Sequence, residues 1–239
     1  MSPPLCLCKK LITLVIVMAL LIAEPSCPAL ALNPISHGPN LAKTVALTFD
    51  DGPHPWHTPQ LLDMLETFQV RATFFVVGIK CAENPLLLKE IAERGHTIAN
   101  HSWSHPNLVE LEDEKIEEQI RLCNQAIEGI TGRSCHFFRP PGGNWDSRTL
   151  KIAEKMGLRT VLWTINSYDT GDKSLTAVEE AQMVTRKTTP GAIILLHDGG
   201  NFTLEALPHI ITTLTRKGYS FVTLEEMFQD PPKPINLNF

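Results

Sequence analysis

Val45-Ala46-Leu47-Thr48-Phe49-Asp50-Asp51-Gly52-Pro53 is an apolar run that ends in two adjacent carboxylates and a Gly-Pro turn. The run reads as a buried strand, because four of its first five residues are apolar and turn residues close it. A turn gains nothing from a second negative charge. Two neighbouring carboxylates repel, so a metal, an arginine or both must hold them ionised. The chain offers candidates for each role. His101-Ser102-Trp103-Ser104-His105 carries two imidazoles four residues apart, Arg139-Pro140-Pro141-Gly142-Gly143 carries a fixed cation, and Leu195-Leu196-His197-Asp198 ends a second apolar run in a histidine.

Working outward, strand-length apolar runs alternate with helical patterns. Strands are expected at 43–50, 72–78, 97–101, 135–139, 159–165, 192–197 and 220–224, and helices at 59–68, 85–94, 113–130, 147–156, 175–187 and 204–217. Thr58 before Pro59, and Asp146 or Ser147, fit helix N-caps, while Gly157 and Gly218 fit helix ends. Strands alternating with helices predict parallel strands joined by right-handed crossovers. The polar motifs follow five different strands, always at the carboxyl end. A doubly wound sheet would gather only those at its switch point, whereas a barrel gathers them all on one face. The expected fold is therefore α/β, a distorted (β/α) barrel of about seven parallel strands.

The chain has 239 residues, 43% of them hydrophobic and 20% charged. That suits one domain of about 200 residues with a sizeable core. The net charge of −5, with no basic patch, argues against nucleic acid as a partner. Lys9-Lys10, the uncharged run Leu11–Ala23 and Ala29-Leu30-Ala31 form a signal-peptide pattern, and the run is short for a membrane span. The expected organisation is a signal peptide over 1–31, a short extension over 32–42, a catalytic domain over 43–228 and a tail over 229–239. Export to the periplasm, cell envelope or medium follows, with membrane contact only through an uncleaved leader. Cleavage leaves Cys81, Cys123 and Cys135, an odd count without zinc-site spacing or an activating neighbour, read as buried or unpaired thiols.

His101 and His105 share a face if their segment turns helically. Two neutral imidazoles with one carboxylate suit a first-row metal with open positions, such as zinc, cobalt, nickel or manganese. H-x-x-x-H alone is weak evidence, since surface or core histidines show it more often, and the strand-end aspartates supply its context. Arg139 fits a structural ion pair as well as a site, and His197-Asp198 fits a strand-ending turn. His54 and His57 read as rim residues. His37, His96, His136 and His209 have no motif behind them.

Thr-Phe-Asp-Asp-Gly-Pro, His-Ser-x-x-His, Arg-Pro-Pro and Leu-x-His, in that order over Lys43–Phe228, resemble the polysaccharide deacetylases, the NodB-homology enzymes of carbohydrate esterase family four. The resemblance implies metal-dependent removal of acetyl groups, usually N-acetyl groups, from an N-acetylated polysaccharide or oligosaccharide. It assigns Asp51, His101 and His105 to one divalent ion, most often zinc. Asp50 matches the catalytic base, Arg139 its arginine partner, His197 the catalytic acid and Asp169 the carboxylate that orients it. Gly142 matches the position whose backbone N–H faces the oxyanion, and Leu195 the apolar wall for the acetyl methyl. Asp172 competes with Asp169 in the same polar loop. Two positions depart from the pattern: Gly142 stands where many relatives have Tyr, and Thr170 where many have Trp. Trp56, Trp103 and Trp145 lie near motifs, suited to sugar stacking or to packing in the barrel's upper layer, and Trp145 is carried forward as substrate-binding. The implied substrate is peptidoglycan first and a chitin-type oligosaccharide second. An O-acetyl esterase on xylan and a catalytically silent glycan-binding module are the alternatives.

Overall fold

The computed structural model describes residues 33–39, 42–170 and 176–229. The leader with its expected cleavage point after Ala31, Asp172, and the tail beyond Gln229 lie outside the described residues. No helix among the described residues is long and apolar enough to cross a membrane.

In chain order the elements are β1 (Thr44–Gly52), α1 (His57–Thr67), β2 (Thr73–Val76), α2 (Gly78–Glu83), α3 (Pro85–Glu93), β3 (Thr97–Asn100), α4 (Asp113–Thr131), β4 (Phe137–Phe138), α5 (Ser147–Lys155), β5 (Arg159–Thr160), β6 (Ile165–Asn166), α6 (Ala177–Lys187), β7 (Ala192–His197), α7 (Thr203–Arg216), β8 (Ser220–Phe221) and α8 (Leu224–Phe228). The strands form one parallel sheet in the order β5-β4-β3-β2-β1-β7-β6, with β8 on the first residues of β1. The sheet curls into a distorted barrel, as the alternation predicts.

The stretch 159–165, expected as one strand, is two. Arg159–Thr160 pairs with β4 at one edge of the sheet, and Ile165–Asn166 pairs with β7 at the other. One extended segment therefore closes the barrel by serving both edges. Its freed peptide groups find other partners, as buried backbone must. Leu162 N–H donates to Ile35 O at 2.7 Å, and the Val161 and Leu162 carbonyls accept from the Arg139 guanidinium. Ile35 belongs to the N-terminal extension, which also bridges from His37 to Ala192 and so laces across the gap.

Strand alternation sorts the side chains into two layers. Val45, Leu47 and Phe49 pack outward with helix residues such as Leu61, Leu65, Leu207 and Ile210. Ala46 packs inward with Phe75, Ala99, Phe137, Val161 and Ile193. Both faces are covered, which is why β1 reads as a nearly continuous apolar run. On the inward face, register pairs Ala46 with Ile193, then Thr48 with Leu195, then Asp50 with His197. Polarity thus rises along one layer until two titratable groups stand side by side at the carboxyl end.

Two local expectations are corrected. Thr58 does not cap α1, which begins at His57 behind Trp56. Its hydroxyl accepts from His54 N–H and donates to the Asp198 carboxylate, so tertiary contacts override the capping signal. Short helices α2 and α8 were not expected. Six- and five-residue helices carry too little periodicity to be read, although the Thr223–Glu226 capping box marks α8. Asp146 does cap α5, accepting from Arg148 and Thr149 N–H. Cys81, Cys123 and Cys135 are unpaired, and burial pushes the Cys81 and Cys135 thiols up to about 12, in line with inert packing.

Candidate active site

Asp51 occupies the left-handed region at φ +71°, where the β1 ladder slips between Asp50 and Gly52. A bulge there re-aims one side chain. Without it the alternation would send Asp51 outward. Instead its Oδ1 lies 3.5 Å from His101 Nε2 and 3.2 Å from His105 Nε2. The 101–105 segment is not helical, so a shared helix face is not what joins the two histidines. Ser102 and His105 both have positive φ, and this tight turn brings the two rings to 4.9 Å between centroids.

These three residues fit a metal. Candidate ligand atoms of Asp51, His101 and His105 lie within 4.8 Å of one another. Asp51 Oδ1 is buried and has no hydrogen-bond partner, although it faces two imidazoles. A buried acceptor left unmatched is costly, and a cation would satisfy it. His101 Nδ1–H donates to Arg139 O at 2.7 Å, which leaves the Nε2 lone pair facing Asp51. Burial, against the pull of Asp50 and Asp51, lowers the His101 pKa and keeps the ring neutral, the form that ligates.

Asp50 is buried beside this triad. Its Oδ1 accepts from Arg139 at 2.6 Å, and its Oδ2 lies 3.7 Å from His101 Nε2. Arg139 is fully buried and also donates to Thr48 Oγ1 and to the Val161 and Leu162 carbonyls, at 2.9–3.2 Å. Its guanidinium lies over the Phe75 ring at 3.9 Å and 5.7 Å from the Trp163 ring. Burial lowers the arginine's pKa and Asp50 pulls it back up. Arg139 thus ties the barrel seam to Asp50. Arg139→Met is expected to destabilise the protein by about 3–5 kcal/mol, the usual cost of stranding one partner of a buried pair. Urea unfolding measures it, and a loss under 1 kcal/mol would show that Asp50 does not depend on this arginine.

His197 stands across from Asp50. Its Nδ1 meets Asp169 Oδ1 at 2.6 Å, and its backbone N–H donates to Asp169 Oδ2 at 2.7 Å. Thr203 Oγ1 also donates to Asp169. Burial pulls the His197 pKa down, but the bond and charge of Asp169, with help from Asp50 and Asp51, lift it above its ordinary value. Asp169 is lowered in turn: burial opposes ionisation, and the bonds from His197 and Thr203 outweigh it.

Leu195 is buried beneath His197, level with Thr48. Gly142 sits in the Pro141–Gly143 turn at φ +64°, which glycine adopts without strain. Trp145 is 39% exposed on the same loop. The Trp103 ring packs against Gly78.

Three residues went unread in the sequence, and a fourth, Asp198, was read only as part of a strand-ending turn. Trp163 packs so closely on Gly143 that no side chain fits there. It lies between β5 and β6, inside the stretch that reads as one strand in the sequence. Lys80 reaches Asp51 O at 2.7 Å from a helix too short to foresee. Asp198, held up to about 6 chiefly by burial, and Glu180, held up to about 8 by burial and then by Asp169, are buried acids, and Glu180 has no local signature.

The sequence profile described as polysaccharide deacetylase matches residues 37–161. The chain belongs to the polysaccharide deacetylase family. It is similar to a peptidoglycan-N-acetylglucosamine deacetylase of Bacillus cereus, 39% identical over 80% of this chain and 91% of that protein. It is 35% identical to a chitooligosaccharide deacetylase of Rhizobium leguminosarum bv. trifolii, over 77% and 91%. Its structure superposes on a CE4 family pseudoenzyme from Bacillus anthracis with a TM-score of 0.79 and 33% identity, over 84% of this chain and 70% of that one. As a member of this family the chain is a hydrolase that deacetylates glycans.

Proposed function

We propose that this deacetylase is an exported, metal-dependent enzyme that removes N-acetyl groups from an envelope glycan, peptidoglycan before chitin-type oligosaccharides. The observation that carries the reading is Asp50 opposite His197, a carboxylate anchored by Arg139 facing an imidazole anchored by Asp169, next to the unmatched Asp51 oxygen. A carboxylate and an imidazole, each held by its own charged partner, are what acid–base division of labour requires. The relatives named for peptidoglycan and for chitooligosaccharide support the substrate class, and the signal-peptide pattern supports export.

Asp51, His101 and His105 would hold the ion. A divalent ion there, zinc being the one these donors suit best, supplies a Lewis acid for the acetyl carbonyl. Asp50 accepts a proton from the attacking water, and Arg139 keeps it aimed. The backbone N–H of Gly142 donates to the oxygen that gains charge as the carbonyl becomes tetrahedral. Leu195 walls the acetyl methyl, and Trp145 offers a face to the sugar ring. His197 Nε2 then gives its proton to the nitrogen as the C–N bond breaks, leaving acetate and a free amine. Asp169 holds the Nδ1 side and keeps the imidazolium available.

A substrate panel tests this reading. Acetate should be released from peptidoglycan and N-acetylated chitin oligomers, stop with a chelator and return with zinc. Release from acetylated xylan alone would assign an O-acetyl esterase. No release from any glycan by metal-loaded protein would assign a silent binding module.

A further inference from the structure

Three consecutive carbonyls at the end of β1 are each held differently. Asp50 O accepts from Asp198 N–H at 2.8 Å, and Gly52 O accepts from Val77 N–H at 2.9 Å. Both are backbone bonds that any sequence could make. Asp51 O, between them, accepts from the Lys80 ammonium at 2.7 Å. The one residue in the left-handed region is therefore the one whose carbonyl depends on a side chain. A non-glycine residue at φ +71° is disfavoured and persists only where its surroundings over-determine it.

The helix that carries Lys80 also grips the turn between the other two candidate ligands. At the start of α2, Gly78 N–H donates to Ser102 O at 3.0 Å and Ile79 N–H to Trp103 O at 2.9 Å. The Trp103 ring lies where a Gly78 side chain would stand, so the loop and the helix fit only with glycine there. One short helix thus touches both halves of the ligand set: its backbone holds the His101–His105 turn and its lysine holds Asp51.

We propose that Lys80 is a positioning residue for the metal site, fixing the Asp51 backbone so that its carboxylate stays on His101 and His105. This rests on the reading of those three residues as ligands. The bond is charge-assisted, which suits holding a disfavoured conformation. Lys80 is half-buried behind Asp51, and its ammonium is taken by the backbone rather than by the carboxylate.

The sign of the effect separates positioning from charge. A cation near a metal site repels the ion, so if Lys80 acted only through its charge, removing it would tighten metal binding. Positioning predicts the reverse. Zinc and cobalt affinities of the full chain, measured by competition with a chelator, should weaken about ten-fold or more in Lys80→Met, the scale of losing an outer-shell partner. Lys80→Arg keeps a charged donor and should recover most of that loss. The visible spectrum of the cobalt form should broaden in Lys80→Met and sharpen again in Lys80→Arg. If Lys80→Met does not fold, Lys80→Ala, which asks no room for a new side chain, serves the same titration. Unchanged or tighter affinity in the folded variant overturns the proposal. Failure of the unaltered chain to bind either metal would instead sink the ligand assignment beneath it, so the two failures are distinct.

Discussion

Asp51→Ala is expected to empty the site of metal and abolish deacetylation, whereas Asp50→Asn keeps the metal and lowers activity by a factor on the order of 100 or more. The two residues are neighbours in sequence and differ in what they face. Asp51 Oδ1 is buried, unmatched and within 3.2–3.5 Å of two imidazole nitrogens. Asp50 already has a charged partner in Arg139 at 2.6 Å, and its other oxygen is 3.7 Å from His101. Removing the first takes away a ligand that no other residue replaces. Neutralising the second keeps its shape and leaves the proton of the attacking water without an acceptor. Metal content by atomic emission, read beside acetate release, separates them. Equal loss of metal in both variants would make Asp50 a ligand and leave the base unassigned.

His197→Ala is expected to lower N-acetyl hydrolysis by about 100- to 10,000-fold, the range for general catalysis, and hydrolysis of an activated aryl acetate far less. An amine leaves poorly unless protonated, and an aryl oxide leaves unaided. The pH dependence follows from the same pair. In the proposed mechanism the active form of His197 is the imidazolium, and Asp169 lifts its pKa, which would extend activity to higher pH. Asp169→Asn removes that charge, so the high-pH limb of the rate profile should move to lower pH. The same shift contributes to stability. Because the folded pKa lies above the unfolded value of about 6.5, the contribution is complete below that pH and is lost as pH rises through the folded pKa. Equal losses on amide and aryl ester for His197→Ala would show that the proton comes from elsewhere.

The motifs are readable because their chemistry is local. Asp50 and Asp51 end an apolar run, His197 ends another, and Arg139 follows a third, so each announces a strand's carboxyl end without reference to any other. The alternation of runs and helical patterns supplied the parallel sheet, and with it the expectation that those ends converge. Period alone could not show that the segment over 159–165 serves two edges, because a strand's pattern records which face is buried and not which neighbour it pairs with. Likewise, four-residue spacing puts His101 and His105 on one face only if their segment is helical. The fold achieves it through a turn with two left-handed residues. The aim of the Asp51 carboxylate, the Arg139 tie across the seam and the reach of Lys80 belong to tertiary structure alone. Each joins residues at least 22 positions apart or depends on a backbone conformation that only surrounding contacts hold. Chain sequence set the residues that face the site, and packing set the distances between them.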